Sequence, residues 1–370
     1  MNLAEQFFDE RELTFSQDAF SDSNGDSSGA RAWYDELKGA LDKLPIYPHD
    51  NFGQYDGRSD SGENLAFFFR GQSRSDYAFT STLYRNFLSQ NPSAARDAKP
   101  EPTESTLLQA EKAVLESAWS NGIGRGLTPL ERLTLLQHHG VPTRLIDVST
   151  DWKVALYFAC SSNLDKDGRL FLIATNWRRW REFPNATGKK RSSESNKPTL
   201  AWEDKTLITR DDWYTGTWPI LLPFSDPRMI AQSGFFLVGG IPRPTGNYHL
   251  YASRCKDCCN IVCDNPAHKH AGRTNIERPP MTNSEIREVS SCFLKFPGSS
   301  FPVSNLTAQK ADNALNTWSA VGYTCRVPSA FKRDILRVLG EEGLNEDSIF
   351  PPFAATTRLL GNVVNQKLKL

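Results

Sequence analysis

Two stretches of the chain gather side chains suited to chemistry. Phe67-Phe68-Phe69-Arg70-Gly71-Gln72 leads three aromatic residues into one arginine. Its guanidinium fork suits a phosphate or another anion, because it donates several hydrogen bonds in one plane. Thr143-Arg144-Leu145-Ile146-Asp147-Val148-Ser149-Thr150-Asp151 ends an apolar run in hydroxyl and carboxyl groups. The second stretch reads as the wall of a site, and Arg70 reads as its anion clamp. A structural ion pair between Arg70 and Asp147 is the plain alternative, since a charge at the lip of a buried strand usually has a partner. His138 and His139 fall at a helix end, where the helix dipole favours a positive ring. Either ring suits a general base. Ser149 and Thr150 also suit helix caps, and Gln232 also suits a core amide.

Two further clusters stand apart. Cys255-x-x-Cys258-Cys259-x-x-x-Cys263-x-x-x-x-His268-x-His270 holds the ligand types zinc prefers, with knuckle spacing at Cys255 and Cys258. Four ligands from this set predict a closed, structural zinc site. Trp177-Arg178-Arg179-Trp180-Arg181, followed by Lys189, Lys190 and Arg191, interleaves aromatic and basic residues. That composition suits stacking on single-stranded bases with phosphate neutralisation. A solvated surface loop is the plain reading of such a charge run.

The elements that must position these groups are legible in the spacing. A helix is expected over 30–44, with Trp33, Leu37, Ala40, Leu41 and Leu44 on one face. A strand buried on both faces is expected over 64–71, and a helix over 103–120. Thr128, Pro129 and Glu131 form a capping box with proline at the first helical position, and Gly140 ends that helix. The central strand, 143–148, feeds a helix over 152–161. Further strands are expected over 169–175, within 228–238 and over 286–296, and a helix over 329–340. Residues 16–29 read as a polar linker.

The chain has 370 residues, no net charge and seven cysteines. It is long enough to bury a core without staples. Zero charge favours neither nucleic acid nor a membrane surface. No apolar run reaches the roughly 18 residues a membrane span needs. Asp9, Glu10 and Glu12 make the start unlike a signal peptide. A cytoplasmic location is therefore expected, and in that reducing setting crowded cysteines favour metal over disulfides.

These residues carry a resemblance. Phe69-Arg70-Gly71, then Leu136-Gln137-His138-His139-Gly140-Val141-Pro142-Thr143-Arg144-Leu145-Ile146-Asp147 with Ala155-Leu156-Tyr157-Phe158-Ala159, resemble the signature blocks of the FRG domain family. Arg228 to Phe236 and Gly343 to Pro351 look like its later blocks. The resemblance places an N-terminal segment at 1–63, the domain at 64–360 with insertions at 176–217 and 245–282, and a tail at 361–370. The block order is in turn similar to that of ADP-ribosyltransferases: arginine and glycine at a strand end, Ser/Thr before a helix, then an acid or polar residue on a later strand. Gln232 stands at the third landmark, where a carboxylate would be expected.

That resemblance implies an α/β (α+β) fold with a mixed-sheet ADP-ribosyltransferase-like core, flanking helices and a Cys/His-rich insertion. It implies NAD as substrate, because splitting the nicotinamide–ribose bond develops positive charge that a site must stabilise. Arg70, Ser149, Thr150, Gln232, Asp147 and His139 are the catalytic candidates. Arg70, Gly71, Gln72, Arg144 and Ser149 are the candidates for holding NAD. By family context the expectation is a toxin acting on RNA or DNA in a toxin–antitoxin or phage-defence setting, with an antitoxin protein and a chaperone as partners. A non-catalytic nucleotide- or RNA-binding module is the alternative. A nuclease or phosphotransferase has only the histidine pair near Arg144 in its favour.

Overall fold

The computed structural model describes residues 2–16, 27–46, 65–90, 102–176, 200–203, 211–220, 227–254, 274–277 and 280–351. The proposed zinc ligands and the stretch Trp177 to Arg191 lie outside these residues.

The strands are β1 (Leu13–Thr14), β2 (Leu65–Gln72), β3 (Ile146–Ser149), β4 (Gly168–Asn176), β5 (Thr217–Ile220), β6 (Gly234–Gly239), β7 (Tyr251–Arg254), β8 (Thr274–Glu277), β9 (Phe301–Pro302) and β10 (Ala320–Val327). The helices are α1 (Leu3–Asp9), α2 (Ser27–Leu41), α3 (Thr82–Gln90), α4 (Glu104–Ser120), α5 (Pro129–His138), α6 (Trp152–Cys160), α7 (Asp211–Tyr214), α8 (Pro227–Ala231), α9 (Asn283–Val289), α10 (Ala308–Leu315), α11 (Lys332–Glu341) and α12 (Glu346–Ile349).

Six strands form the central sheet in the order β10-β4-β2-β3-β6-β5. The fold is α/β with flanking helices, but the expected mixed sheet is corrected: every pairing within this sheet is antiparallel. A parallel pairing joins β1 and β9, outside it. Antiparallel neighbours need no right-handed crossover, so helices of very different length can connect them.

The aromatic run in β2 shows why the sheet is buried on both faces. Phe67 and Phe69 point into a cluster with Trp33, Leu37, Leu156, Ile335 and Leu339 from α2, α6 and α11. Ala66 and Phe68 point the other way, onto Phe7, Phe8, Phe79 and Phe296. A third cluster lies under α4 and α5, where Leu133, Leu136, Trp202 and Trp213 meet Phe236 and Val238 of β6. The N-terminal segment is therefore part of the core. Asp9 and Glu12 also pair with the fully buried Arg169 at 2.5 and 3.3 Å.

Most expected elements form within a few residues of their predicted bounds. The α5 capping box is present, with Glu131 accepting from the Thr128 amide at 2.7 Å. Gly140 takes φ +83° just beyond the helix. The strand expected over 286–296 is corrected. Thr282 and Glu285 form a capping box and start α9 instead. Ile286 and Val289, three apart, make its buried face. Helix spacing together with a cap outweighs β-branched content over so short a stretch.

Candidate functional site

The sheet opens at its centre. β2 registers with β4 over eight residues and β3 with β6 over four, yet β2 and β3 share the single pair Phe69↔Ser149. Beyond that pair the two strands part. A cleft of about 1360 Å³ occupies the split, lined by Arg70, Gly71, Gln72, Gln137, His138, His139, Asp147, Ser149, Phe158, Arg228 and Gln232 among others.

Arg70 bridges the split. Its Nη1 donates to the Asp147 carbonyl at 2.6 Å, in place of the ladder bond that the diverging strands no longer make. The same nitrogen lies 4.0 Å from Asp147 Oδ2, and the side chain is 16% exposed. Its Nε is buried without a partner. Burial pushes the Arg70 pKa down; the Asp147 charge opposes this and the nearby Arg85 adds to it. Arg85 sits at the rim and donates to the Thr80 carbonyl and to Thr82 Oγ1. It forms no ion pair among the described residues. Arg70 and Arg85 thus line one cleft and both feel the charge of Asp147; Arg228, Arg287, Asp76 and Glu288 line it as well.

Gly71 serves packing. A Cβ there would lie 1.7 Å from the Ala155 carbonyl oxygen, so α6 crosses β2 in direct backbone contact. Gln72 is buried; its Nε2 donates to the Ala78 carbonyl at 3.0 Å, and its Oε1 has no partner.

The Ser149 hydroxyl is committed to the backbone. It donates to the Gln232 carbonyl at 2.7 Å and accepts from the Asp151 amide at 2.9 Å. Asp151 in turn caps α6 through the Lys153 amide. Thr150 lies outside the cleft lining; its hydroxyl donates to the Ser233 carbonyl at 3.4 Å. Gln232 faces the cleft, but its Nε2 donates to the Ile349 carbonyl at 3.2 Å, tying the turn between α8 and β6 to α12. Ser233 beside it takes φ +47°, the turn that brings α8 into β6.

Arg144 is not a phosphate contact in this arrangement. It is buried away from the cleft, with Glu111 and Glu104 each at 2.7 Å and the Trp202 ring 5.0 Å from its guanidinium carbon. Burial opposes its charge, but the two carboxylates outweigh that and raise its pKa. Those partners explain why the central strand starts at Ile146 and not at Thr143: Thr143 and Arg144 turn into side-chain clusters.

Asp147 lines the cleft with its side chain 62% exposed, and its Oδ2 accepts from Gln137 Nε2 at 3.0 Å. His139 is exposed at the same rim, with its ring 5.3 Å from that of His138. The structure therefore brings together Arg70, Asp147, Ser149, Gln232 and His139, and sets Thr150 and Arg144 aside. Sequence reasoning missed Arg85 and Gln137 as cleft residues. Gln137 carried a signal, because it directly precedes the histidine pair.

No cluster of three metal-ligating side chains occurs among the described residues. No helix among them is long and apolar enough to cross a membrane. Residues 65–168, from β2 to the start of β4, match the FRG domain. No curated protein and no solved structure matches the chain.

Proposed function

We propose that this FRG-domain chain binds NAD across the β2–β3 split and transfers its ADP-ribose. The observation that carries the reading is Arg70 spanning the split beside Asp147, with Arg85 as a second cation in the same cleft. Two guanidiniums suit a diphosphate, and each charge-assisted hydrogen bond contributes about 1.5–3 kcal/mol. Cleavage of the nicotinamide–ribose bond leaves a cationic sugar. Asp147 is the carboxylate that would stabilise it and orient a ribose hydroxyl. Gln232 has no charge to offer, and its amide nitrogen is occupied by Ile349. His139, exposed at the rim, would take the proton of the incoming acceptor.

A nucleic acid acceptor is supported by the basic, aromatic composition of Trp177 to Arg191. The toxin role, an antitoxin partner, structural zinc and a cytoplasmic setting rest on sequence and family resemblance, and belong to the same proposal.

The test incubates purified protein with radioactive NAD and separate pools of RNA, DNA and protein. Label in one pool, lost in Arg70→Ala, is the expected result. Label that survives Arg70→Ala would sink the reading. A second reading, a binding module that senses a nucleotide without consuming it, is favoured by the prior commitment of Ser149 and Gln232 to backbone partners. It predicts stoichiometric NAD binding with no nicotinamide released.

A further inference from the structure

We propose that Gln137 and Thr143 are positioning residues that aim the Asp147 carboxylate into the cleft. The inference rests on the reading of Asp147 as the group facing the reacting ribose.

Three hydrogen bonds run in one direction. The Leu145 amide donates to Thr143 Oγ1 at 3.0 Å. The Thr143 hydroxyl donates to Gln137 Oε1 at 2.8 Å. Gln137 Nε2 donates to Asp147 Oδ2 at 3.0 Å. Because the amide accepts from Thr143, its NH2 must face Asp147. The chain of donors therefore ends on a carboxylate oxygen and suits the ionised form.

Burial falls along the same path. Thr143 is fully buried and Gln137 is 8% exposed. Asp147 is largely open to solvent. A surface carboxylate on a four-residue strand, at the point where β2 leaves it, has few other supports. Arg70 spends its short hydrogen bond on the Asp147 carbonyl and stands 4.0 Å from the carboxylate. The amide is the closer hold. It fixes Oδ2, while Oδ1 accepts no hydrogen bond among the described residues and is left for the ligand. Hydrogen-bond partners that orient metal ligands affect activity by about 10–100-fold, and an effect of that order is expected for this carboxylate.

A purely structural role is the competing account: Thr143 would only tie the end of α5 to the turn before β3. Thr143→Val keeps the shape and removes the hydroxyl, and Thr143→Ser keeps the hydroxyl. Gln137→Glu keeps the contact with Thr143 but sets a carboxylate against Asp147. Crystal structures of wild type and the three variants, nicotinamide release and NAD calorimetry decide between the accounts. In Thr143→Val and Gln137→Glu, the Asp147 side chain is expected to leave its position. In both, kcat is expected to fall about tenfold or more while the Kd for NAD stays within about threefold. Thr143→Ser is expected to match wild type. Should Thr143→Val not fold, Gln137→Glu, whose site lines the cleft, supplies the deciding structure. An Asp147 carboxylate unmoved in the folded variants overturns the proposal, whether or not the wild type splits NAD. A wild type that releases no nicotinamide sinks the NAD reading, and the carboxylate's position alone then decides this one.

Discussion

At the scale of single residues, Arg70 and Asp147 have distinct tasks despite lying side by side. Arg70 closes the gap in the ladder and offers its remaining donors to an anion. Arg70→Lys keeps the charge but loses the fork, so NAD binding measured by calorimetry should weaken about 10- to 100-fold, close to Arg70→Ala. Asp147→Asn should leave NAD affinity nearly unchanged and lower kcat by about 10²- to 10³-fold, because the lost charge acts on the transition state. Weaker NAD binding with kcat unchanged in Asp147→Asn would assign it to ground-state binding instead.

At the scale of elements, the cleft depends on α6 lying directly on β2. Gly71→Ala forces a methyl into the Ala155 carbonyl, an obstacle made of backbone. The helix must shift, at a cost of about 3 kcal/mol or more. Thermal unfolding should show that loss, and a variant as stable as wild type would mean that α6 packs elsewhere. Thr128→Ala removes the α5 cap and should cost about 1 kcal/mol in the same assay. The phenylalanines of β2, the capping box of α5 and Gly140 were legible because each is a local rule with a residue attached. The 283–289 helix was misread because seven residues with Ile286 and Val289 satisfy strand and helix templates almost equally. The strand β10 was missed: Ala320 to Val327 is buried along nearly all its length, so the polar alternation that marks a half-exposed strand is absent.

At the scale of the whole molecule, charges from distant segments lock the sheet. Arg326 joins Glu5 and Asp9 of α1 to Asp167, and the Ser329 amide donates to Asp167 at 2.8 Å. Burial pushes the Asp167 pKa up, but the bonds from Ser329 and Arg326 outweigh it and hold the carboxyl below its ordinary value. A depressed carboxylate contributes stability that is present above its unfolded value and is lost as pH falls through the folded one. Urea unfolding should therefore show stability falling below about pH 4, with a shallower fall in Asp167→Asn. An identical acid limb in that variant would remove Asp167 from the account. Lys332 makes a similar long-range tie, donating to the carbonyls of Ser73 and Asn163 at 2.7 and 3.0 Å.

The sequence by itself determined the local elements and the types of the groups at the strand ends. Arg70, Asp147 and Ser149 could be named because an arginine and a polar run break otherwise apolar strands. Only the tertiary structure decided which of them share a cleft. Ser149 and Thr150 are adjacent in sequence, but Ser149 ends β3 and lines the cleft, while Thr150 begins the turn into α6 and does not. Arg144 looked as available as Arg70 until Glu104 and Glu111, some 40 and 33 residues earlier in the chain, arrived beside it. Partners so distant in sequence leave no periodic trace, and it is the partners that fix what a charged side chain is free to do.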